Sequence, residues 1–231
     1  MPVPFSRPSM LPEPTVARLP VYQRIAREMV RRGRERADSE TLGRLAGVAP
    51  ATVRRDLAGL GSLGTRGAGY DVSLLVERIE EALGHHQRYD VILIGVGNLG
   101  HALLNSTNFL ISGAQLVGLY DVNPDVIGTE VAGLTVQDFA GELAPATMAV
   151  LCVPPDVAQE AADRLVEHDI HAILNFAPQV LSVPIGTAVR YVDFSIELQI
   201  LAYHLTNGTG PLGGGLLHSL GITPPAPPRT A

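Results

Sequence analysis

Apolar positions along this chain change their spacing about a third of the way in. Up to residue 84 they recur every three or four residues, the period of helices that bury one stripe. Over Thr15–Arg32 the stripe is Val16, Leu19, Ile25, Met29 and Val30, with arginines between, and Pro20 suits only an early turn of that helix. From Ser39 the set Leu42, Leu45 and Ala46 predicts a short helix capped by Ser39. Gly47 permits a sharp turn, and Pro50 opens a second helix that buries Val53 and Leu57. A further helix is expected over Asp71–Gly84, on Val72, Leu75, Val76, Ile79 and Leu83.

Beyond His85 the pattern becomes short, unbroken apolar runs. The densest is Val91-Ile92-Leu93-Ile94, which reads as a strand buried on both faces. Similar runs follow at Gln115–Tyr120, Leu134–Val136, Thr147–Val153, His171–Leu174 and Ala188–Val192. Helical stretches at Gln137–Leu143 and Pro155–Glu167 separate some of them. Such alternation predicts an α/β fold with a parallel, doubly wound sheet. The last helix, Phe194–Leu205, is apolar nearly all round, which suits an interface better than solvent.

The turn after the first strand is Gly95-Val96-Gly97-Asn98-Leu99-Gly100, a G-x-G-x-x-G sequence. Gly95 allows the tight turn, Gly97 lets a pyrophosphate approach the backbone, and Gly100 lets the following helix pack closely on the strand. The N–H groups at the helix start then face the phosphates. Glycine-rich turns also occur without ligands, so the flanks matter. The second run ends in Asp121, 21 residues after Gly100. There a carboxylate accepts both ribose hydroxyls of an adenosine and repels an extra phosphate, which favours NAD(H) over NADP(H). A solvated turn before Asn123-Pro124 is the other reading of Asp121. Loops at strand C-termini, with Val153, Pro154, Asn175, Phe176, Ala177 and Pro178, are expected to line the crevice.

Charge sharpens the division. All 17 basic residues are arginine, which excludes P-loop and Schiff-base lysine chemistry. Thr15–Tyr70 holds eleven arginines against five acids, whereas residues 85–231 hold four against thirteen. A basic first part joined to an acidic second part points to a polyanion as partner of the first alone. The two short helices around Gly47 have the layout of a helix-turn-helix, with Thr52, Arg54 and Arg55 on the outer face of the second. Those arginines have the reach for guanine edges or phosphates, and Thr52 and Ser39 for phosphates. Gly59–Tyr70 holds five glycines, with Arg66 near its tip, and fits a wing approaching the minor groove. A plain helical hairpin with a flexible linker is the alternative.

One cysteine, Cys152, in an apolar run, reads as a buried inert thiol and rules out an internal disulfide or a multi-cysteine metal site. No run reaches the roughly 18 apolar residues of a membrane span, and no signal-peptide core is evident, so a cytoplasmic protein is expected. The expected organisation is a disordered leader over 1–14, a winged helix-turn-helix domain over 15–84 and a Rossmann domain over 85–192. A C-terminal helix over 193–206 and a disordered Gly/Pro-rich tail over 207–231 complete it.

Five segments together carry a resemblance. ATVRRDL (51–57), GTRGAGYDV (64–72), GVGNLGHALLN (95–105), ILNFAP (173–178) and VDFSIELQ (192–199) resemble, in this order, the Rex family of bacterial redox-sensing transcriptional repressors. The resemblance implies a homodimer whose C-terminal helix is swapped into the partner. It implies binding to a palindromic operator that tolerates NAD+ and is released by NADH. It also implies a switch pair, Arg18 with Asp193, that shifts with redox state. Two positions depart from the family: Ser106 replaces a common tyrosine near the nicotinamide, and Gly59-Leu60 replaces a common Tyr-Phe pair before the wing. The first bears on NAD+/NADH discrimination and the second on the stiffness of the wing.

The main rival is an NAD-dependent oxidoreductase with an N-terminal regulatory domain. It would need an acid/base group, and His101, His168, His171 and His204 sit in no recognisable catalytic arrangement. Little chain remains for a substrate domain. A nucleotide- or CoA-binding protein without a DNA role is at odds with the arginine cluster.

Overall fold

The computed structural model describes residues 11–65, 69–106, 109–111 and 113–207. It comprises two compact units that divide between Gly84 and His85, with a second division between Ile200 and Leu201. Arg66, the greater part of the expected leader and residues 208–231 lie outside the described residues.

In the first unit, α1 (Glu13–Arg31) begins inside the stretch expected to be disordered and continues through Pro20. Proline lacks the N–H that would meet the Val16 carbonyl, but both residues lie on the exposed face, where water can serve that carbonyl. A two-residue strand, β1 (Arg36–Ala37), leads into α2 (Ser39–Ala46) and α3 (Pro50–Ala58). Gly47, at φ 71°, closes α2 in the left-handed conformation that a sharp inter-helix turn requires. The cap of α2 is Asp38, whose carboxylate accepts from the Thr41 N–H at 2.6 Å; Ser39, the expected cap, is the first helical residue. Strands β2 (Gly64–Thr65) and β3 (Gly69–Asp71) pair antiparallel, and β1 adds to β3, giving a small three-stranded sheet. Asp71 caps α4 (Val72–Ala82) through the Leu74 N–H. Leu19, Tyr22, Leu42, Val53, Leu57, Leu75 and Ile79 are among the residues that meet in one core.

The second unit holds a seven-stranded sheet: β4 (Tyr89–Ile94), β5 (Ala114–Asp121), β6 (Glu130–Val131), β7 (Leu134–Asp138), β8 (Met148–Leu151), β9 (Ala172–Asn175) and β10 (Ala188–Tyr191). Its order is β10-β9-β8-β4-β5-β7-β6, and every pairing is parallel except that of edge strand β6 with β7. The chain winds outward from β4 in both directions, which leaves a crevice between the C-terminal ends of β4 and β8. Apolar clusters cover both faces of the sheet, explaining the unbroken runs of β4 and β8. Helices α5 (Asn98–Leu104) and α6 (Pro155–Glu167) follow β4 and β8. The helix expected over Gln137–Leu143 is absent. Gln137 and Asp138 extend β7, and the Asp138 carboxylate turns the chain by accepting from Ala140 N–H at 2.9 Å. Phe139 and Leu143 then reach the core from an irregular segment.

The last helix, α7 (Phe194–Thr206), buries no residue; Phe194, Leu198, Tyr203 and Leu205 are all more than 60% exposed. Among the described residues, no helix is long and apolar enough to cross a membrane.

Candidate nucleotide site and nucleic-acid interface

The glycine turn after β4 is held by contacts that forbid side chains at two of its three glycines. Gly95 has φ +92°, and a Cβ there would come within 2.5 Å of the Cys152 carbonyl oxygen at the end of β8. A Cβ on Gly100 would come within 2.2 Å of the Gly95 oxygen, so α5 lies directly against the turn. Gly97 is the opposite case. A Cβ there would meet nothing within 4 Å, so its missing side chain leaves open space beside the helix start, where a pyrophosphate needs to approach backbone.

Asp121, the last residue of β5, is fixed at this turn. One carboxylate oxygen accepts from the Val96 N–H at 2.7 Å and the other from the Asn123 N–H at 2.9 Å. Each oxygen keeps a lone pair for a further donor, as ribose hydroxyls require. Gly95, Gly97, Leu99, Asp121, Val153 and Pro154 border one cavity of about 860 Å3. Val122, Asn123 and Val126 continue the wall beyond Asp121. The arginine on this cavity, Arg164, directs its Nη2 to the Ala140 and Gly141 carbonyls and lies 5.4 Å over the Phe139 ring, with its Nε buried and unpartnered among the described residues. The wall near Asp121 therefore presents a carboxylate, the Asn123 amide and apolar groups, a surface suited to bare ribose hydroxyls. The residues present fit a dinucleotide without a 2′-phosphate. Burial pushes the Cys152 thiol up to about 12, so it stays protonated on the cavity wall.

Other residues expected in this group lie elsewhere. Val96 and Gly100 are buried behind the turn, and Asn98 opens α5. Asn175 ends β9, Phe176, Ala177 and Pro178 follow it, and none of the four borders this cavity. Asn175 is fully buried, with its amide donating to the Gln179 carbonyl and its oxygen accepting from the Ala177 N–H. Its side chain shapes the loop, and Phe176 and Ala177 pack onto the apolar clusters. Ser106 is exposed just after α5, and its N–H donates to the Leu103 carbonyl.

The first unit presents its candidate groups on α3. Arg54 and Arg55 are exposed, Thr52 is half-buried, and Arg54 donates to Ser39 Oγ at 2.8 Å. Ser39 thus orients an arginine instead of capping its helix.

A residue that sequence reasoning missed lies on the inner side of the same helix. Asp56 is 1% exposed, yet its carboxylate accepts from Thr15 Oγ1 (2.8 Å), Tyr22 Oη (2.8 Å), and Arg18 Nε and Nη2 (2.6 and 2.8 Å). Three residues of α1, at spacings of three and four, thereby grip α3. The bidentate Arg18 contact is the stronger kind of ion pair. Arg18, against desolvation, together with Thr15 and Tyr22, holds the Asp56 carboxyl below its ordinary range. Burial and the same carboxylate push the Tyr22 hydroxyl's pKa well up, so it stays a donor. The signal was available in principle: an acid three residues after Val53 and one before Leu57 sits on the buried face. Asp193, expected to pair with Arg18, accepts from the Ser195 N–H at 2.8 Å, which lowers its pKa.

Comparisons with known proteins agree with both halves. Residues 86–179 match the family model described as "CoA binding domain", and residues 10–58 match "Putative DNA-binding protein N-terminus". The protein from Streptomyces griseus named redox-sensing transcriptional repressor Rex is 46% identical over 206 residues, covering 87% of this chain and 81% of the relative. Its namesake from Rhodopirellula baltica is 43% identical, with 87% of each chain covered. Among solved structures, RSP in complex with beta-NAD+ and operator DNA superposes with a TM-score of 0.77 at 33% identity, over 87% of this chain and 94% of that one. RSP in complex with beta-NADH gives 0.77 at 32% identity, over 87% and 96%. Identity at this level across both units, joined to a glycine-cradled cavity and an arginine-bearing helix-turn-helix, places the chain in the Rex family of redox-sensing transcriptional repressors.

Proposed function

We propose that this chain is a DNA-binding repressor that reads the NADH/NAD+ ratio, held on an operator palindrome in the oxidised state and released by NADH. The observation that carries the reading is the joint presence, in one chain, of a glycine turn bordered by Asp121 and a helix-turn-helix with exposed arginines on its second helix. Solved relatives bind beta-NAD+ with operator DNA, and beta-NADH.

Residues 15–84 form the DNA-binding domain in this reading. Arg54 and Arg55 meet base edges or phosphates, Thr52 and Ser39 support them, and Arg66 serves the wing. Residues 85–192 hold NAD(H): Gly95, Val96 and Gly100 shape the turn, Gly97 and the backbone of Asn98 and Leu99 at the start of α5 face the pyrophosphate, Asp121 the ribose, and Val153 and Pro154 the opposite wall. Asn175 to Pro178 set the loop beyond it. The cofactor supplies the signal through its nicotinamide ring, cationic when oxidised and neutral when reduced.

The exposed apolar surface of α7 is what a helix inserted into a second copy requires, so the chain acts as a homodimer with that helix swapped. In the dimer Arg18 exchanges between Asp56 and Asp193 as the redox state changes. Leaving Asp56 would strip two charge-assisted bonds from a buried carboxylate on α3, so the exchange is felt at the DNA-reading helix. The cofactor is read and not turned over. His168 and His171 lie at the N-terminal edge of β9, opposite the crevice, and His101 stands on α5 beside the pyrophosphate turn. The site of action is the cytoplasm.

Fluorescence anisotropy of an operator duplex, titrated with NADH and then NAD+, tests the reading. Release by NADH alone supports it. DNA binding indifferent to both cofactors removes the redox switch, and no binding to any Rex-type palindrome removes the repressor role.

A further inference from the structure

The first unit carries a second concavity that none of these roles uses. It encloses about 510 Å3 between the C-terminal half of α1 and one face of α2. Ile25 and Met29, both buried, and half-buried Leu45 form an apolar floor. Five arginines surround that floor with one acid, Glu28, among them. Glu28 already binds Arg31 at 2.5 Å and Arg32 at 2.7 Å. Arg24, Arg34 and Arg44 have no carboxylate partner among the described residues, so three guanidinium groups stand uncompensated around one hollow.

The groove does not face the DNA-reading helix. On α2 the residue turned toward α3 is Gly43, where a Cβ would approach the Val48 oxygen to 2.6 Å and Pro50 N to 3.3 Å. Thr41 and Leu45, two residues to either side, lie about 160° around the helix from Gly43 at 3.6 residues per turn. Both border the groove. A duplex held on α3 is therefore on the other side of α2.

We propose that this groove binds a small anion with two or more phosphoryl groups on a flat apolar body, of the nucleoside di- or triphosphate class, independently of the dinucleotide cavity. Guanidinium forks pair bidentately with phosphoryl oxygens, and three of them match the charge of a di- or triphosphate. The floor offers a soft apolar surface for a base, with Met29 able to adjust its shape. The volume falls within the range of small-molecule sites. A ligand there would bridge α1 and α2 and so bias the helix-turn-helix from its back.

Isothermal titration of the full chain with ATP tests this, with saturating NADH present to block the glycine-turn cavity. One ATP per chain is expected, with at least tenfold weaker binding to Arg24→Ala and Arg44→Ala and NADH affinity unchanged in both. Arg78→Ala, on α4 and paired with Glu81, serves as control and should bind as the parent does. Adenosine and inorganic tripolyphosphate should each bind at least tenfold more weakly than ATP. ATP binding abolished by NADH, or unchanged in both arginine variants, would overturn the proposal. Tripolyphosphate binding as tightly as ATP would remove the apolar body, and displacement of ATP by operator duplex would reassign the groove to the DNA backbone.

Discussion

In the proposed reading the two units present polar groups to phosphates by opposite means. In the second unit the site is backbone: Gly97 leaves room beside the start of α5, and one carboxylate, Asp121, ties the turn to its neighbouring strand. In the first unit the site is side chain: arginines stand on a short helix whose seat depends on a buried carboxylate gripped from α1. A backbone site tolerates no added atoms but needs few particular side chains. A side-chain site tolerates change on its surface but fails when its buried support is removed.

That contrast can be broken most severely at Gly95. Gly95→Ala puts a methyl group against the Cys152 carbonyl at a left-handed φ, and at roughly 1–3 kcal/mol of strain plus the clash it should weaken NADH binding by more than about 100-fold. Fluorescence titration of NADH measures this; parent-like affinity would show that the turn relaxes freely. Gly97→Ala should fold normally and still lose affinity, since only the ligand's space is filled.

Asp56→Ala is the matching break in the first unit. It strips the acceptor from Thr15, Tyr22 and Arg18, and because Arg18 remains 30% exposed and can hydrate, the cost should be about 2–3 kcal/mol in urea unfolding. Operator affinity should fall while NADH affinity holds. An unchanged unfolding midpoint would mean that the apolar core alone seats α3. The same carboxylate gives a pH signature. Its folded pKa lies below the ordinary 3.8, so its stabilisation is complete above that value and is lost as pH falls through the folded pKa. Acid titration should therefore destabilise the parent more than Asp56→Asn.

Arg55→Ala touches only the reading face. It should cost about 1–3 kcal/mol of operator affinity with stability and NADH affinity unchanged; unchanged operator binding would remove Arg55 from the interface. Asp121→Ala, with its ribose acceptor gone, should weaken NADH by about tenfold, in line with roughly 1.5 kcal/mol for charged hydrogen bonds.

Legibility in the sequence follows the same division. The glycine turn, Asp121 and the alternating sheet could be read directly because backbone sites leave their mark as consecutive residues at fixed offsets. The helix expected over Gln137–Leu143 does not form: Phe139 and Leu143 carry a helical spacing, but Asp138 turns the chain. Ser39 looked like a cap, but the residue before it is better placed to accept from Thr41 N–H. The side-chain amide of Asn175 donates to the Gln179 carbonyl and accepts from the Ala177 N–H, shaping its own loop. Asp56 was hidden because its partners lie 34 to 41 residues away, and no local pattern encodes a contact at that range.

The most direct test of coupling between the two units is the affinity for NADH measured with and without bound operator duplex. Linkage requires operator to weaken NADH by the same factor by which NADH weakens operator, typically about 5–150-fold. A matching factor is the result predicted here. An NADH affinity identical in the presence and absence of operator would contradict it, leaving a DNA-binding unit and a dinucleotide-binding unit that share a chain without exchanging a signal.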